Sequence, residues 1–335
     1  MAREDRLTST PPAGGRERDP AVRWLLSSDD PSVRFLTLTE VLGLSPHRGR
    51  AREAAKALLR GKRMRALLRG QRRDGGFGVH AYRKWSGAHW RLISMVALGI
   101  PAGEPRAVAA AETVLAWLGR ANATRGHATE IAGRYRVCAS MEGNAVGVCS
   151  RLGLAEDERV AALVDGLVRW QWPDGGWNCD KNPEATHSSF NESLVTAWGL
   201  AEYHAATGDD RAGDAAARAG ELFLRHRVFR SDRTGEVIKP VWLDLRYPPY
   251  WHYGLLHGLR VLGGLGLLSD PRAAEALDLV EEKRLPDGRW KVEGRYWTPL
   301  RNAESNADIV DWGRSGPNEL VTLEALRVLR QAGRW

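Results

Sequence analysis

Residues 169–192 read RWQWPDGGWNCDKNPEATHSSFNE, and the fold follows from how this stretch is built and where it recurs. It opens on a tight knot, Trp170-Gln171-Trp172-Pro173-Asp174-Gly175-Gly176-Trp177. A polar loop holding Cys179, Asp180 and His187 follows, and the stretch ends at a helix start, Ser189-Phe190-Asn191-Glu192. Two weaker copies flank it: Gln71-Arg72-Arg73-Asp74-Gly75-Gly76-Phe77 upstream and Lys283-Arg284-Leu285-Pro286-Asp287-Gly288-Arg289-Trp290 downstream. Such self-similarity outranks any single motif in reading a fold, because each repeat is one unit that can bury its apolar face only against its neighbours.

Around the knots the apolar residues recur at helical spacing. Residues 21–26 and 31–42 form two short helices, joined by Ser27-Ser28-Asp29-Asp30-Pro31, which supplies N-cap residues and a Pro for the first helical position. Residues 51–69 continue as one longer helix to Gly70. Beyond it an amphipathic helix, a Gly-containing loop and a more apolar helix alternate. The amphipathic helices are 105–118, 156–170, 210–226 and 271–283; the apolar ones are 89–99, 141–154, 191–204, 250–267 and 317–331. The knot aspartates at 74, 174 and 287 lie 100 and 113 residues apart, with two helix pairs per interval, so the period is about fifty residues. No stretch shows strand alternation. The expected fold is therefore all-α: an α/α toroid of five to six hairpins spanning residues 21–335. Apolar helices line its inside, since a helix hydrophobic all round must be buried. An open solenoid of helix pairs is the plainer alternative.

The chain carries fourteen Trp against five Phe, a formal charge of +8 and a pI near 9.7. Most Arg residues are scattered singly along helices, which describes a solvated basic surface better than a nucleic-acid stripe. The three cysteines make no C-x-x-C pair, which argues for a reducing cytoplasm and against a disulfide framework. Residues 1–20 are rich in Pro, Gly and charge and lack an apolar core, so a disordered tail is expected there and no signal peptide. No run reaches the roughly eighteen apolar residues of a membrane span.

The elements Gln71-x-x-Asp74-Gly75-Gly76-Phe77, Gln171-x-x-Asp174-Gly175-Gly176-Trp177 and Asp287-Gly288-x-Trp290 resemble the QW repeats of the terpenoid cyclase and protein prenyltransferase superfamily. The resemblance covers about residues 55–335. It implies the toroid, with each Gln capping a helix and stacking on the Trp to brace neighbouring hairpins; the third copy lacks the Gln. It also implies an isoprenoid-processing enzyme acting on an apolar small molecule, without nucleic acid and with at most peripheral membrane contact. Cyclases of that superfamily that start by protonation use an Asp-x-Asp-Asp acid, which this chain lacks. Asp308-Ile309-Val310-Asp311 and the single acid of Trp242-Leu243-Asp244 come nearest and neither matches. Prenyltransferases place Asp, Cys and His on zinc; Cys179, Asp180 and His187 supply those residue types without the family spacing. No other cofactor is expected.

The polar residues at the starts of the inner helices are His89, Glu142, Glu192, His252 and Glu319. Carboxylates and imidazoles at inward helix N-termini can hold an acid, a base or a metal. Asp180, Glu192, Glu142 and His187 are the catalytic candidates, Asp180 because a carboxyl walled by Trp170, Trp172 and Trp177 would be desolvated. Ser189 to Glu192 also fits a capping box, in which the same side chains only satisfy orphan N–H groups. Trp177, His89, Trp242, Tyr247, Tyr250, Trp251, His252 and Glu319 are the candidate substrate wall. Its rings can stabilise a carbocation, stack on a sugar, or pack a long loop over the barrel end. A carbohydrate-active α/α barrel and a non-catalytic helical-repeat module therefore remain beside the isoprenoid reading.

Overall fold

The computed structural model describes residues 13–125, 128–301 and 305–335. The chain is mostly helical. In order the helices are α1 (Ala13–Arg16), α2 (Pro20–Leu26), α3 (Pro31–Leu36), α4 (Gly49–Ala57), α5 (Lys62–Leu68), α6 (Ala88–Ala97) and α7 (Pro105–Arg125). They continue as α8 (Ala139–Arg151), α9 (Glu158–Arg169), α10 (Phe190–Thr207), α11 (Asp210–Arg225), α12 (Leu255–Gly264), α13 (Ala274–Glu282) and α14 (Glu319–Gln331). Two small strand pairs escape the sequence pattern: β1 (Thr129–Ile131) antiparallel to β2 (Arg134–Arg136), and β3 (Thr298–Pro299) parallel to β4 (Ala307–Asp308). At two or three residues each they are too short to show a period.

The apolar helices pack in sequence, α6 on α8, α8 on α10, α10 on α12, α12 on α14 and α14 on α3. Amphipathic helices lie across part of this series: α7 across α6 and α8, α9 across α8 and α11, α11 across α10 and α12. The closest seam is α8 against α10. There a Cβ on Gly143 would sit 2.5 Å from the Thr196 backbone, and one on Gly199 would sit 2.0 Å from the Gly143 carbonyl oxygen. Small residues let two backbones meet where larger ones would hold them apart.

Each knot is a turn that ties an inner helix to an outer one, and its bonds can be followed copy by copy. In the central copy Gln171 Nε2 donates to the carbonyls of Gly175 and Ala215, 2.8 Å each, while its Oε1 accepts from Arg218. Gln71 repeats this with Gly75, Arg106 O and the Arg106 guanidinium. The third copy has Arg284 in the same place. Its Nε donates to Gly288 O at 3.0 Å and its other nitrogen to Asp19. The aromatic position behaves likewise. Trp177 Nε1 donates to Leu167 O and Trp290 Nε1 to Val280 O, each ten residues back. Phe77 has no such donor, and the Arg91 guanidinium, lying 3.9 Å over its ring, donates to Leu67 O instead.

Three expectations need correction. Residues 51–69 are not one helix, because Gly61 leaves the helical region (φ −57, ψ 142) with Asp30, Pro31 and the Leu58 carbonyl crowded around it. The inner helix expected from 250 starts only at Leu255, since Gly254 is extended and Tyr250 has a positive φ. Of the expected tail, residues 1–12 lie outside the described residues, and the rest is anchored. Asp19 caps α2 and accepts hydrogen bonds from Arg284 and from Trp335 Nε1, joining the start of the described chain to its end.

Candidate functional site

The loop after the central knot carries the first site. Within it Asn178, Asp180 and Asn182 each accept from the backbone N–H two residues on. These successive turns swing Asp180 and His187 out into solvent, away from the Trp residues expected to wall Asp180. The His187 ring meets its neighbour Thr186 while its carbonyl accepts from Asn178 Nδ2, and Trp177 is fully buried as a brace, not a wall. Neither Asp180 nor His187 therefore joins Cys179 in a metal set.

Cys179 meets different partners. The Val137 N–H donates to Asn178 O at 3.0 Å, and Arg136 bridges Asn178, so the segment leaving β2 runs beside the loop. That delivers Cys138, the residue preceding α8. Its Sγ, Cys179 Sγ and a Glu192 carboxylate oxygen all lie within 4.8 Å of one another. Glu192 is buried on the first turn of α10. Ser189 Oγ accepts from the Glu192 N–H, so half of the capping box is present. The other half is absent: the Ser189 N–H goes to Trp177 O, while Glu192 Oε2 accepts from the Ser140 N–H at 2.8 Å. Glu192 Oε1 faces Cys179 Sγ at 3.6 Å. Burial pushes the Glu192 carboxyl above its ordinary range, and contact with Cys138 followed by burial pushes the Cys179 thiol up. Tyr82 stands beside the three; burial and then their negative charge raise its hydroxyl to about 12.

The other helix-start residues are structural in geometry. Glu319 pairs with Arg63 at 3.0 Å, and Arg63 pairs with Asp30, while Asn318 caps α14. Glu142 is buried inside α8. His89 lies beside Asn144 on a small internal void; burial lowers its pKa to about 3, so it is neutral.

The second site surrounds Asp308, the first acid of the Asp308-Ile309-Val310-Asp311 pair that comes near the cyclase acid motif without matching it. Asp308 is 3% exposed. Its Oδ2 accepts from Tyr250 OH and from Trp312 Nε1 at 2.8 Å, and its Oδ1 from the Val310 N–H. Rings close around this carboxyl. Tyr250 stacks on Trp85 with centroids 3.9 Å apart, Trp90 meets both edge-on, and Tyr247 lies against Trp312. Burial raises the Asp308 pKa. Outward from Trp85 the half-buried rings of Trp251, His252 and Tyr296 stack at 4.1 and 3.7 Å. Lys84 lies over Trp251 and Trp85. Burial first, then Lys84 and Arg246, lower the His252 pKa to about 4. Of the expected wall, Tyr247, Tyr250, Trp251 and His252 thus gather on the Asp308 side. Trp242 belongs to another cluster, with Phe190 and Tyr253.

A third feature is an ionic network that the sequence reading passed over. Arg327 bonds Glu324 at 2.6 Å and also Glu40, and Arg260 bonds Glu324 at 2.7 Å. Glu324 and Arg327 stand three residues apart inside an otherwise apolar helix, a pattern that marks a paired buried charge.

No protein-family model matches the chain, and no curated protein matches it. A solved structure similar to it is a protein from Actinoplanes. That protein is 17% identical, aligned over 96% of this chain and 99% of that one, with a TM-score of 0.43. At that score the similarity carries no argument about fold or function. Among the described residues no helix is long and apolar enough to cross a membrane.

Proposed function

We propose that the chain is an α/α toroid of the terpenoid cyclase type, working in the cytoplasm, and that it protonates an apolar, isoprenoid-like substrate with Asp308 as the acid. Two contacts of α3 are what a closed ring would need: Gly99, just past α6, lies against its Phe35 and Leu36, and α14 packs on it as well. The observation that carries the chemistry is the Asp308 carboxyl, buried in a cage of Trp and Tyr rings. Burial raises the pKa of this carboxyl and so favours its protonated, proton-donating form. Tyr250 OH and Trp312 Nε1 hold the carboxylate left after transfer, so the donated proton is exchanged for hydrogen bonds already in place. Positive charge arising on the substrate would meet the faces of Trp85, Trp90 and Tyr250, each contributing about 0.5–2 kcal/mol.

The test is incubation of the purified protein with squalene, farnesyl and geranylgeranyl substrates, with products read by mass spectrometry. Asp308→Asn is expected to abolish product. Asp311→Asn, at an exposed turn where the carboxylate accepts from the Gly313 N–H and pairs with Arg314, is expected to leave it unchanged. Absence of both binding and turnover, or turnover surviving in a folded Asp308→Asn, refutes the reading.

A further inference from the structure

We propose that Cys138, Cys179 and Glu192 form a binding site for a soft divalent cation, zinc above all, with a fourth coordination position open to solvent. The three ligands come from separate segments: the residue before α8, the loop after the central knot and the first turn of α10. Two independent contacts hold them together, the Val137 to Asn178 backbone bond and the Ser140 N–H on Glu192. Two thiolates with one carboxylate suit zinc and disfavour magnesium or calcium, which require oxygen ligands.

The spacing fits a tetrahedral centre. With Zn–S near 2.3 Å and Zn–O near 2.1 Å, tetrahedral angles separate S from O by about 3.6 Å and S from S by about 3.8 Å. The observed Cys179 Sγ to Glu192 Oε1 distance is 3.6 Å, and the whole set falls within 4.8 Å. Glu192 is also oriented from behind. Its second oxygen is fixed by the Ser140 N–H, the kind of outer contact that aims a ligating carboxylate. The burial gradient gives the site a direction: Glu192 is buried, Cys179 intermediate and Cys138 exposed. A bound ion therefore keeps one face toward solvent, as catalytic zinc does and closed structural zinc does not. Binding displaces the protons of both thiols to solvent, so affinity rises with pH. The site is independent of Asp308, and either proposal can fail without the other.

The experiment uses the reduced full-length protein, stripped of metal and titrated with cobalt(II) and zinc(II). Cobalt bound by two thiolates gives a near-ultraviolet sulfur-to-metal band; zinc displaces it, and elemental analysis reports one ion per chain. Cys138→Ser and Cys179→Ser are each expected to weaken the band and to lower zinc affinity by more than the ~10–100-fold that loss of an outer contact causes. Glu192→Gln is expected to keep the thiolate band and lose affinity. Cys138 is exposed, so Cys138→Ser also controls for folding, with unchanged circular dichroism. No cobalt band in the reduced wild type, or wild-type zinc affinity in both serine variants, overturns the proposal. So does a protein that forms a Cys138–Cys179 disulfide in air, by intact mass, and binds no metal once reduced.

Discussion

Replacing Gly175 and Gly288 by Ala, one at a time, separates what the knot needs from what a turn needs. Both glycines hold a positive φ, +102 and +86, in equivalent places of the second and third copies. An L-residue there costs about 1–2 kcal/mol in either case. The surroundings differ. A Cβ on Gly175 would stand 2.4 Å from the Arg218 carbonyl oxygen on α11, backbone that cannot step aside alone. On Gly288 the nearest atoms are the end of Arg284 at 3.3 Å and atoms of Asp19 and Ala21 at 3.5 and 3.6 Å. Overpacking of the first kind adds about 1–3 kcal/mol. The gain from stiffening the unfolded chain is the same for both and cancels. Gly175→Ala should therefore cost about 2–5 kcal/mol and Gly288→Ala about 1–2. For 335 residues the unfolding entropy scales to about 0.7 kcal/mol/K. The melting temperature should thus fall by about 3–7 °C in the first variant and about 1–3 °C in the second. Denaturant titration of both variants gives the free energies directly. Equal losses would refute the claim that the knot presses α11 by direct backbone contact.

Two further predictions concern groups buried nearby. Arg91→Leu removes the donor that satisfies the carbonyls of Leu67, Arg69 and Ser86, and should cost about 2–4 kcal/mol at 1–3 per orphaned group, partly relieved by solvent. Phe77→Trp on that background should recover part of it by restoring an indole N–H toward Leu67 O, read by double-mutant unfolding. His89 has a folded pKa of about 3 against an ordinary 6.5, so the unfolded chain binds the extra proton. Its contribution is complete above pH 6.5 and is lost as pH falls toward 3, by about 1.4 kcal/mol per unit, or roughly 2 kcal/mol by pH 5. Urea unfolding at pH 7 and pH 5 should show the gap between wild type and His89→Leu shifting by that amount; parallel losses would refute it.

The knots made the helical repeat legible because a recurring Asp-Gly turn followed by an aromatic residue is a local signal, set by turn geometry. What the sequence hid was substitution of role. Arg284 occupies the place of Gln171 and makes its bond to the turn carbonyl, so a missing Gln is not a missing brace. Arg91 supplies from fourteen residues away the N–H that Phe77 lacks. The site was less legible still. Cys179 and Glu192 stood in the expected stretch, but their partner Cys138 arrives through a two-stranded hairpin too short to read. Asp180 and His187 had suitable chemistry and wrong direction, because three Asx turns in a row carry the loop outward. In sequence Asp308 is only a near miss to an acid motif, and its ring cage shows only when folding brings Tyr250 to it across 58 residues.

The buried charges divide by the same logic. Arg327 and Glu324 sit inside the helix bundle, as Asp308 does, yet their situations are opposite. Glu324 accepts from two guanidinium groups, and Arg327 also reaches Glu40, so each charge is answered by a charge. Such a network fixes how residues 37–41, α12 and α14 meet, and removal of one member leaves another uncompensated at about 3–5 kcal/mol. Asp308 has only neutral donors on its carboxyl, Tyr250 OH, Trp312 Nε1 and the Val310 N–H. Neutral donors steady a carboxylate without removing the cost of its charge, which burial therefore transfers to the proton. Asp308 and Glu192 are both buried acids with neutral partners; Asp308 lies among aromatic rings while Glu192 faces Cys179, and that difference in surroundings, not depth of burial, is the reason to look for acid chemistry at Asp308.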